Sequence, residues 1–319
     1  MPRIPLIFAL TLAAQALAAQ VPAVRAFEEP FKLTANAELV LLDVSVKDSS
    51  GGRISNLAKQ NFQVYEDGKL QTITHFGSND VPVTVGLVID TSGSMRPKYT
   101  DVVSAAMLFL HESNRNDEVF IVNFGDSVSY GLPPNMPFTD DLQRLSAALR
   151  LVAPAGRTAL NDAVLSSLDH LTQGKREKKA LVLISDGGDN SSVHKSEEVM
   201  RMVRESHATI YTVGIFDEGD RDQNPGLLRR LSQVSGGQAF FPDRLSELSG
   251  ICRQIASDIR TRYTIGYVPL RSGELGSLRK INVIALGPGG HKLVVRTRKS
   301  YLLPDANQQR STASRKGDQ

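Results

Sequence analysis

From Val83 onward, short apolar runs alternate with amphipathic stretches. The runs are VTVGLVI (83–89), EVFIVNF (118–124), KALVLIS (179–185), TIYTVGI (209–215), QAFF (238–241) and RYTIGYV (262–268). Helical spacing falls between them, near 98–113, 140–150, 158–173, 195–206, 226–234 and 244–260. The last of these keeps Leu245, Leu248, Ile251, Cys252, Ile255 and Ile259 on one stripe. In the 140–150 segment, Thr139 is placed to cap the helix, with Asp140 and Asp141 in its first turn. Continuous apolar strands alternating with helices predict a mostly parallel sheet covered on both faces. The expected fold class is therefore α/β, a doubly wound unit over residues 81–268.

The flanks have another texture. AELVLLDVSVKD (37–48) mixes apolar and polar residues in strand fashion and ends in SSGG, while FQVYEDGKLQTITHF (62–76) splits at Asp67-Gly68, a two-residue hairpin signal. After the α/β region, LRKINVIAL (278–286) and HKLVVRTRKSY (291–301) are joined by GPGG. Neither flank has enough strands to be stable alone. Residues 32–80 and 269–303 are therefore expected to pair into one β-rich domain into which the α/β unit is inserted; the alternative is that each flank extends the α/β sheet.

The termini add two expectations. MPRIPLIFALTLAAQALAAQ has Arg3, an apolar run from Ile4 to Ala14, and Ala16-Leu17-Ala18 as a small-x-small cleavage pattern. The run is shorter than the about 20 residues of a membrane span. It reads as a signal peptide over residues 1–19, giving an exported protein, periplasmic or secreted, with no stable membrane span after cleavage; an uncleaved anchor is the alternative. Residues 304–319, polar around Arg310, Arg315 and Lys316, read as a disordered tail. The net charge of +3, from 37 basic and 34 acidic side chains, comes without a clustered basic face, so nucleic acid is not an expected partner. The single cysteine, Cys252, can form no internal disulfide and reads as a small buried hydrophobe.

The chemistry gathers where strands end. In open α/β sheets, ligands bind beyond the carboxyl ends of the strands. Asp90 follows one apolar run and is succeeded by Ser92 and Ser94, with Gly93 giving the backbone room to turn; Asp186 follows another in LVLISDGGDN; Thr158 lies at a loop-to-helix junction in PAGRTALNDAV. These are oxygen ligands only, two of them charged, which suits a hard divalent ion such as Mg²⁺ better than zinc. By itself D-x-S-x-S is also ordinary turn chemistry; the three segments in this order are the stronger signal.

With those segments in view, residues 81–268 resemble a von Willebrand factor type A domain with its metal-ion-dependent adhesion site. The resemblance rests on VIDTSGSM, FIVNFGDSV, FTDDLQRLSAAL, GRTALNDAV, LVLISDGGDN and IYTVGIF. The flanks, through VYEDGKLQTI and RTRKSYL, resemble a bacterial exported subgroup whose domain is preceded by a V-x-D-G-x-x-Q-x-I-like hairpin and followed by an R-x-R-x-x-Y strand. The resemblance implies that Asp90, Ser92, Ser94, Thr158 and Asp186 hold Mg²⁺ (or Mn²⁺/Ca²⁺), directly or through water. It implies a non-enzymatic adhesion or interaction module, in which a partner protein presents Asp or Glu to the ion. Arg157 stands where many members have Gly. It could face the ion, an acidic partner or solvent, and with Asp189 it is a candidate partner contact.

Two rival readings are a Mg²⁺-dependent phosphohydrolase-like enzyme and a metal-independent envelope assembly or scaffold factor. Against the first, the position two residues after Asp90 is Ser92 rather than a second acid, and Gly187, Gly188 and Asp189 stand where a lysine is required. TSGSM also lacks the first glycine of a G-x-S-x-G nucleophile elbow, and His111, His170, His194 and His207 share no motif.

Overall fold

The computed structural model describes residues 39–303 apart from 79, 218–221 and 271–275. The signal-peptide expectation for residues 1–19 and the expected tail over 304–319 lie outside the described residues. In chain order the strands are β1 (Val40–Lys47), β2 (Phe62–Glu66), β3 (Lys69–Gln71), β4 (Ile73–Gly77), β5 (Val83–Asp90), β6 (Glu118–Phe124), β7 (Val128–Tyr130), β8 (Lys178–Ser185), β9 (Thr209–Gly214), β10 (Ala239–Phe240), β11 (Tyr263–Tyr267), β12 (Leu278–Ala285), β13 (Val294–Arg296) and β14 (Ser300–Leu302). The helices are α1 (Tyr99–Glu112), α2 (Leu142–Leu149), α3 (Leu160–Leu171), α4 (Ser196–Glu205), α5 (Pro225–Ser235) and α6 (Leu248–Thr261).

The central sheet has the order β10-β9-β8-β5-β6-β7. It is parallel throughout except for β7, which runs antiparallel to β6. All eight residues of β5 are buried, because this middle strand is covered on both faces. Val85, Leu87 and Ile89 pack with Val102, Phe109, Leu145 and Ile255 of α1, α2 and α6 on one face. Val88, Phe120 and Leu181 pack with Leu160, Val164, Val199 and Leu228 of α3, α4 and α5 on the other. Cys252 is fully buried in the first layer, and burial pushes its thiol up to about 12, so it packs as a hydrophobe. The chain leaves β5 toward β6, then returns to add β8 on the other side, which makes the β5/β8 boundary the topological switch point.

The remaining strands form two antiparallel four-stranded sheets, β13-β1-β11-β4 and β14-β12-β2-β3. Both contribute to a single core: Leu42, Val44, Ile265 and Tyr267 from the first meet Phe62, Val64, Val283 and Tyr301 from the second. The hairpin between β2 and β3 turns at Asp67 (φ 47°) and Gly68 (φ 79°), the pair of positive φ angles that a two-residue turn of this hand requires. β2 pairs with β12 from Ile281↔Glu66 to Ala285↔Phe62, and β1 pairs with β13, so segments from both ends of the chain share each sheet.

Two sequence expectations are corrected. The run at 262–268 is not a strand of the parallel sheet; β11 lies antiparallel between β1 and β4. Its five residues are buried, and Tyr263 stacks near Phe62 and Phe76 with ring centroids 4.9 and 5.8 Å away. A continuous apolar run reports burial on both faces but carries no mark of which sheet supplies the neighbours, so the α/β unit ends with α6. The cap of α2 is Asp141, whose carboxylate accepts the amides of Gln143 and Arg144, not Thr139. Thr139 is held extended by reciprocal backbone bonds to Val119 and is too far upstream to cap.

Between α6 and the flanking sheets lies a buried ionic cluster. The Asp258 carboxylate, 2% exposed, accepts from the Ser45 hydroxyl (2.8 Å), the Tyr211 hydroxyl (2.6 Å) and Arg296 Nη2 (2.8 Å), with Arg262 3.6 Å away. Arg262 in turn donates to the carbonyls of Asp43, Gly236 and Arg296.

Candidate metal centre

β5 and β8 are neighbours in register, with Ile89 opposite Ile184, so the residues at their C-terminal ends come out side by side. Asp90 is fully buried. Its Oδ1 accepts the Ser92 amide at 2.9 Å, and its Oδ2 accepts the Ser185 hydroxyl at 2.5 Å. The Asp186 carboxylate, 4% exposed, accepts the Ser94 hydroxyl at Oδ2 (2.7 Å) and the Gly188 amide at Oδ1 (3.0 Å). The Ser92 and Ser94 hydroxyls are 3.1 Å apart. A chain of oxygens thus runs from the Asp90 turn through Ser92 and Ser94 to Asp186. Burial pushes the Asp90 carboxyl up to about 6, against the hydrogen bonds of Ser185 and Ser92 and with help from the Asp186 charge. Two acids gathered in a buried place is an arrangement that a cation relieves.

The loops around these residues are knitted by backbone bonds. Thr91 donates to Phe124, Ala155 to Thr91, Gly93 to Gly156 and Ala159 to Gly125. Thr158 is 5% exposed; its amide donates to Asn190 Oδ1 at 2.9 Å, and its carbonyl accepts the amides of Asn190 and Ser191 at 3.0 Å each. This brings the threonine loop against the S-D-G-G-D-N loop. Gly187, at φ +83°, lies so near the Asn224 carbonyl that a Cβ would be 2.6 Å from its oxygen. On the other side, the buried Lys98 amine pairs with Asp217 at 2.7 Å and donates to the Ile215 carbonyl, fastening the loop after β9 to the loop after β5.

Arg157 faces away from the acids. Its side chain is 67% exposed, its amide donates to Asp126 Oδ1 at 2.9 Å, and its Nε is 3.4 Å from the same oxygen. Gly156, at φ +77°, leaves space that the Asp126 carboxylate occupies; a Cβ there would be 2.1 Å from Oδ2. Asp189 is turned inward, accepting from Asn161 Nδ2 through Oδ2, while its Oδ1 is buried with no hydrogen-bond partner. An orphaned carboxylate oxygen three residues after Asp186 fits a site designed around positive charge.

Sequence reasoning missed Ser185, Asn190 and Asp126, which position Asp90, Thr158 and Arg157 respectively. All three lie inside quoted motifs, and their polarity at a strand end was the available signal. His194, by contrast, is accounted for structurally: its Nδ1 is 2.7 Å from Asp162 Oδ1, and the same carboxylate accepts the amides of Val193 and His194, fixing the loop after β8.

The donor set fits a divalent cation: Asp90 and Asp186 offer charge, while Ser92, Ser94 and Thr158 offer neutral hydroxyls. Among the described residues, no group of three or more His, Cys, Asp or Glu side chains is placed to hold an ion. Nor is any helix of the described residues long and apolar enough to cross a membrane.

A switch-point cluster of this kind, with D-x-S-x-S on the middle strand of a parallel sheet and S-D-G on its neighbour, defines the von Willebrand factor type A class. Residues 85–188 match the von Willebrand factor type A domain, so the chain carries a domain of that type. Over 208 residues it is 26% identical to inter-alpha-trypsin inhibitor heavy chain H3 of Bos taurus, a match covering 59% of this chain and 22% of the relative. It is also 23% identical over 175 residues to the protein YfbK of Escherichia coli K12, covering 53% of this chain and 30% of that one. The chain thus spans under a third of the length of these relatives. Among solved structures, a von Willebrand factor type A protein from Catenulispora acidiphila aligns with a TM-score of 0.51 at 13% identity, covering 85% of this chain and 75% of the other. Proximal thread matrix protein 1 of the mussel byssus, in a structure with a zinc-occupied MIDAS motif, aligns with a TM-score of 0.50 at 14% identity, covering 61% and 49%.

Proposed function

We propose that this protein is an exported, non-enzymatic binding module that grips a partner protein through a divalent ion held by Asp90, Ser92, Ser94, Thr158 and Asp186. The observation that carries the reading is the continuous chain of hydrogen-bonded oxygens from Ser92 through Ser94 to Asp186, next to a fully buried Asp90. When bound, the ion supplies an open coordination position to which an Asp or Glu of the partner can be joined by a strong, charge-assisted contact.

The chain's own residues do the rest. Ser185 and the Ser92 amide fix the rotamer of Asp90, the Gly188 amide fixes Asp186, and Asn190 holds the threonine loop at its working distance. The site is thus organised before any ligand arrives, which lowers the cost of binding. Arg157, exposed and paired among the described residues with Asp126, is a rim residue available to an acidic partner. Asp189 supports the loop from within. The all-oxygen donor set favours Mg²⁺, with Mn²⁺ or Ca²⁺ as substitutes; the zinc-occupied motif of the mussel protein is a reason to include Zn²⁺ in any titration. Export rests on the apolar N-terminal run and its small-x-small motif.

The test is capture of envelope proteins by the full chain in Mg²⁺, in EDTA, and after Mg²⁺ is restored. Binding that disappears in chelator, returns with the ion and is absent from Asp186→Ala supports the reading. Binding retained in EDTA supports a metal-independent scaffold instead.

A further inference from the structure

Arg296, Arg298 and Tyr301 are the named positions of the R-x-R-x-x-Y stretch near the end of the described chain, and the first and last bond to carboxylates. Arg296 donates to Asp258 at 2.8 Å, and the Tyr301 hydroxyl donates to Glu66 at 2.9 Å. Arg298 lies between them and is as buried as Tyr301, at 5% exposure. Among the described residues its one side-chain hydrogen bond runs from Nη2 to the Ala208 carbonyl at 3.5 Å, the outer limit of such a contact. No carboxylate among the described residues forms an ion pair with it. Asp43 and Tyr267 favour its charge from a distance, while burial and the neighbouring Arg262 oppose it and push its pKa down to about 10. At neutral pH the guanidinium is therefore still a cation, buried without a counter-charge in contact, a costly state for any charged group.

Arg298 lines a narrow cavity of about 30 Å³ together with Glu205, His207, Pro269, Tyr301 and Leu303. That volume holds one or two water-sized species at about 10–15 Å³ each. Water would satisfy the N–H groups but leave the charge uncompensated. We propose that the Arg298 cavity is a binding site for one small monovalent anion of chloride size. The anion completes the hydrogen bonding of the guanidinium and fastens the loop before β14 to the segment between α4 and β9. This site is separate from the acid cluster at the ends of β5 and β8 and does not depend on the reading of that cluster. Glu205 is the competing partner: with a changed rotamer its carboxylate could meet the arginine directly.

Halide titration of the full chain decides between them. Thermal unfolding is followed in sodium chloride or bromide against sodium gluconate at equal ionic strength, gluconate being too large for the cavity. The site predicts a saturable rise in melting temperature with halide for the wild type and none for Arg298→Met, with circular dichroism confirming that the variant folds. Glu205→Gln removes a repelling charge from the lining and should tighten halide binding severalfold. A crystal soaked in bromide should place the ion within hydrogen-bond distance of Arg298. The proposal is overturned if wild type and Arg298→Met respond alike to halide. It is equally overturned if bromide is absent from the cavity, or if Glu205→Gln lowers the melting temperature and leaves no halide response, the signature of a direct Glu205–Arg298 pair.

Discussion

Asp258→Asn is the sharpest perturbation of the fold. The carboxylate is 2% exposed and, among the described residues, is the only acid paired with Arg262, itself 2% exposed. Burial alone would raise its pKa; Arg262, Arg296 and the hydroxyls of Tyr211 and Ser45 outweigh that and hold it down to about 2. Removing one member of a buried ion pair costs about 3–5 kcal/mol, since the other charge is left uncompensated. Asn keeps an acceptor, and Arg262 keeps three carbonyls, so the lower end applies, about 3 kcal/mol. For a chain of this size, that lowers the melting temperature by about 5 °C.

The pH dependence provides an independent check. A carboxyl with a depressed folded pKa stabilises above its unfolded value of 3.8, and this contribution is lost as pH falls from there toward 2. The loss is about 2 kcal/mol for the wild type and absent from the variant. Melting curves at pH 7 and across pH 2–5 measure both effects. A variant that melts within about 2 °C of the wild type at pH 7 would refute the reasoning, because it would mean that the Arg262 charge is neutralised by some other group.

Other expectations follow from the same contacts. Arg157→Ala should leave Mn²⁺ affinity unchanged, since the guanidinium points to Asp126; calorimetry showing tighter metal binding would place that charge at the ion instead. Against an acidic partner the same variant should lose about 2 kcal/mol of binding if the contact becomes buried. Deleting residues 269–303 removes β12, β13 and β14, and should leave β1 and β2 open to protease while β5 to β9 stay protected. Resistance of both segments after the deletion would show that the flanking sheets do not depend on each other.

Much of the central architecture was legible because its strands are buried on both faces and its helices on one, so each leaves its own periodicity. The acids at strand ends were legible for a related reason: a carboxylate placed directly after a run such as VTVGLVI has no packing role. Tyr263–Tyr267 was assigned to the wrong sheet because burial on two faces looks the same in either. The cap of α2 went to Thr139 rather than Asp141 because the pairing of Thr139 with Val119 is a long-range bond that local patterns do not contain. Arg157 could not be oriented from sequence, since its direction is set by Asp126, thirty-one positions earlier in the chain. The Asp258 cluster was invisible for the same reason; Ser45, Tyr211, Arg262 and Arg296 come from four separate segments and meet only in the fold.

The central claim is that Asp90, Ser92, Ser94, Thr158 and Asp186 form one divalent-cation site. Its most direct test is calorimetric titration of Mn²⁺ into the metal-free full chain, beside Asp186→Ala. The account predicts a single saturable site in the wild type and none in the variant, which should remain folded because removing one of two clustered acids relieves repulsion. It also predicts that metal at a hundredfold excess over Kd stabilises the wild type by about 2.7 kcal/mol. A wild-type chain that takes up no Mn²⁺, or a variant that binds it equally well, would contradict the account.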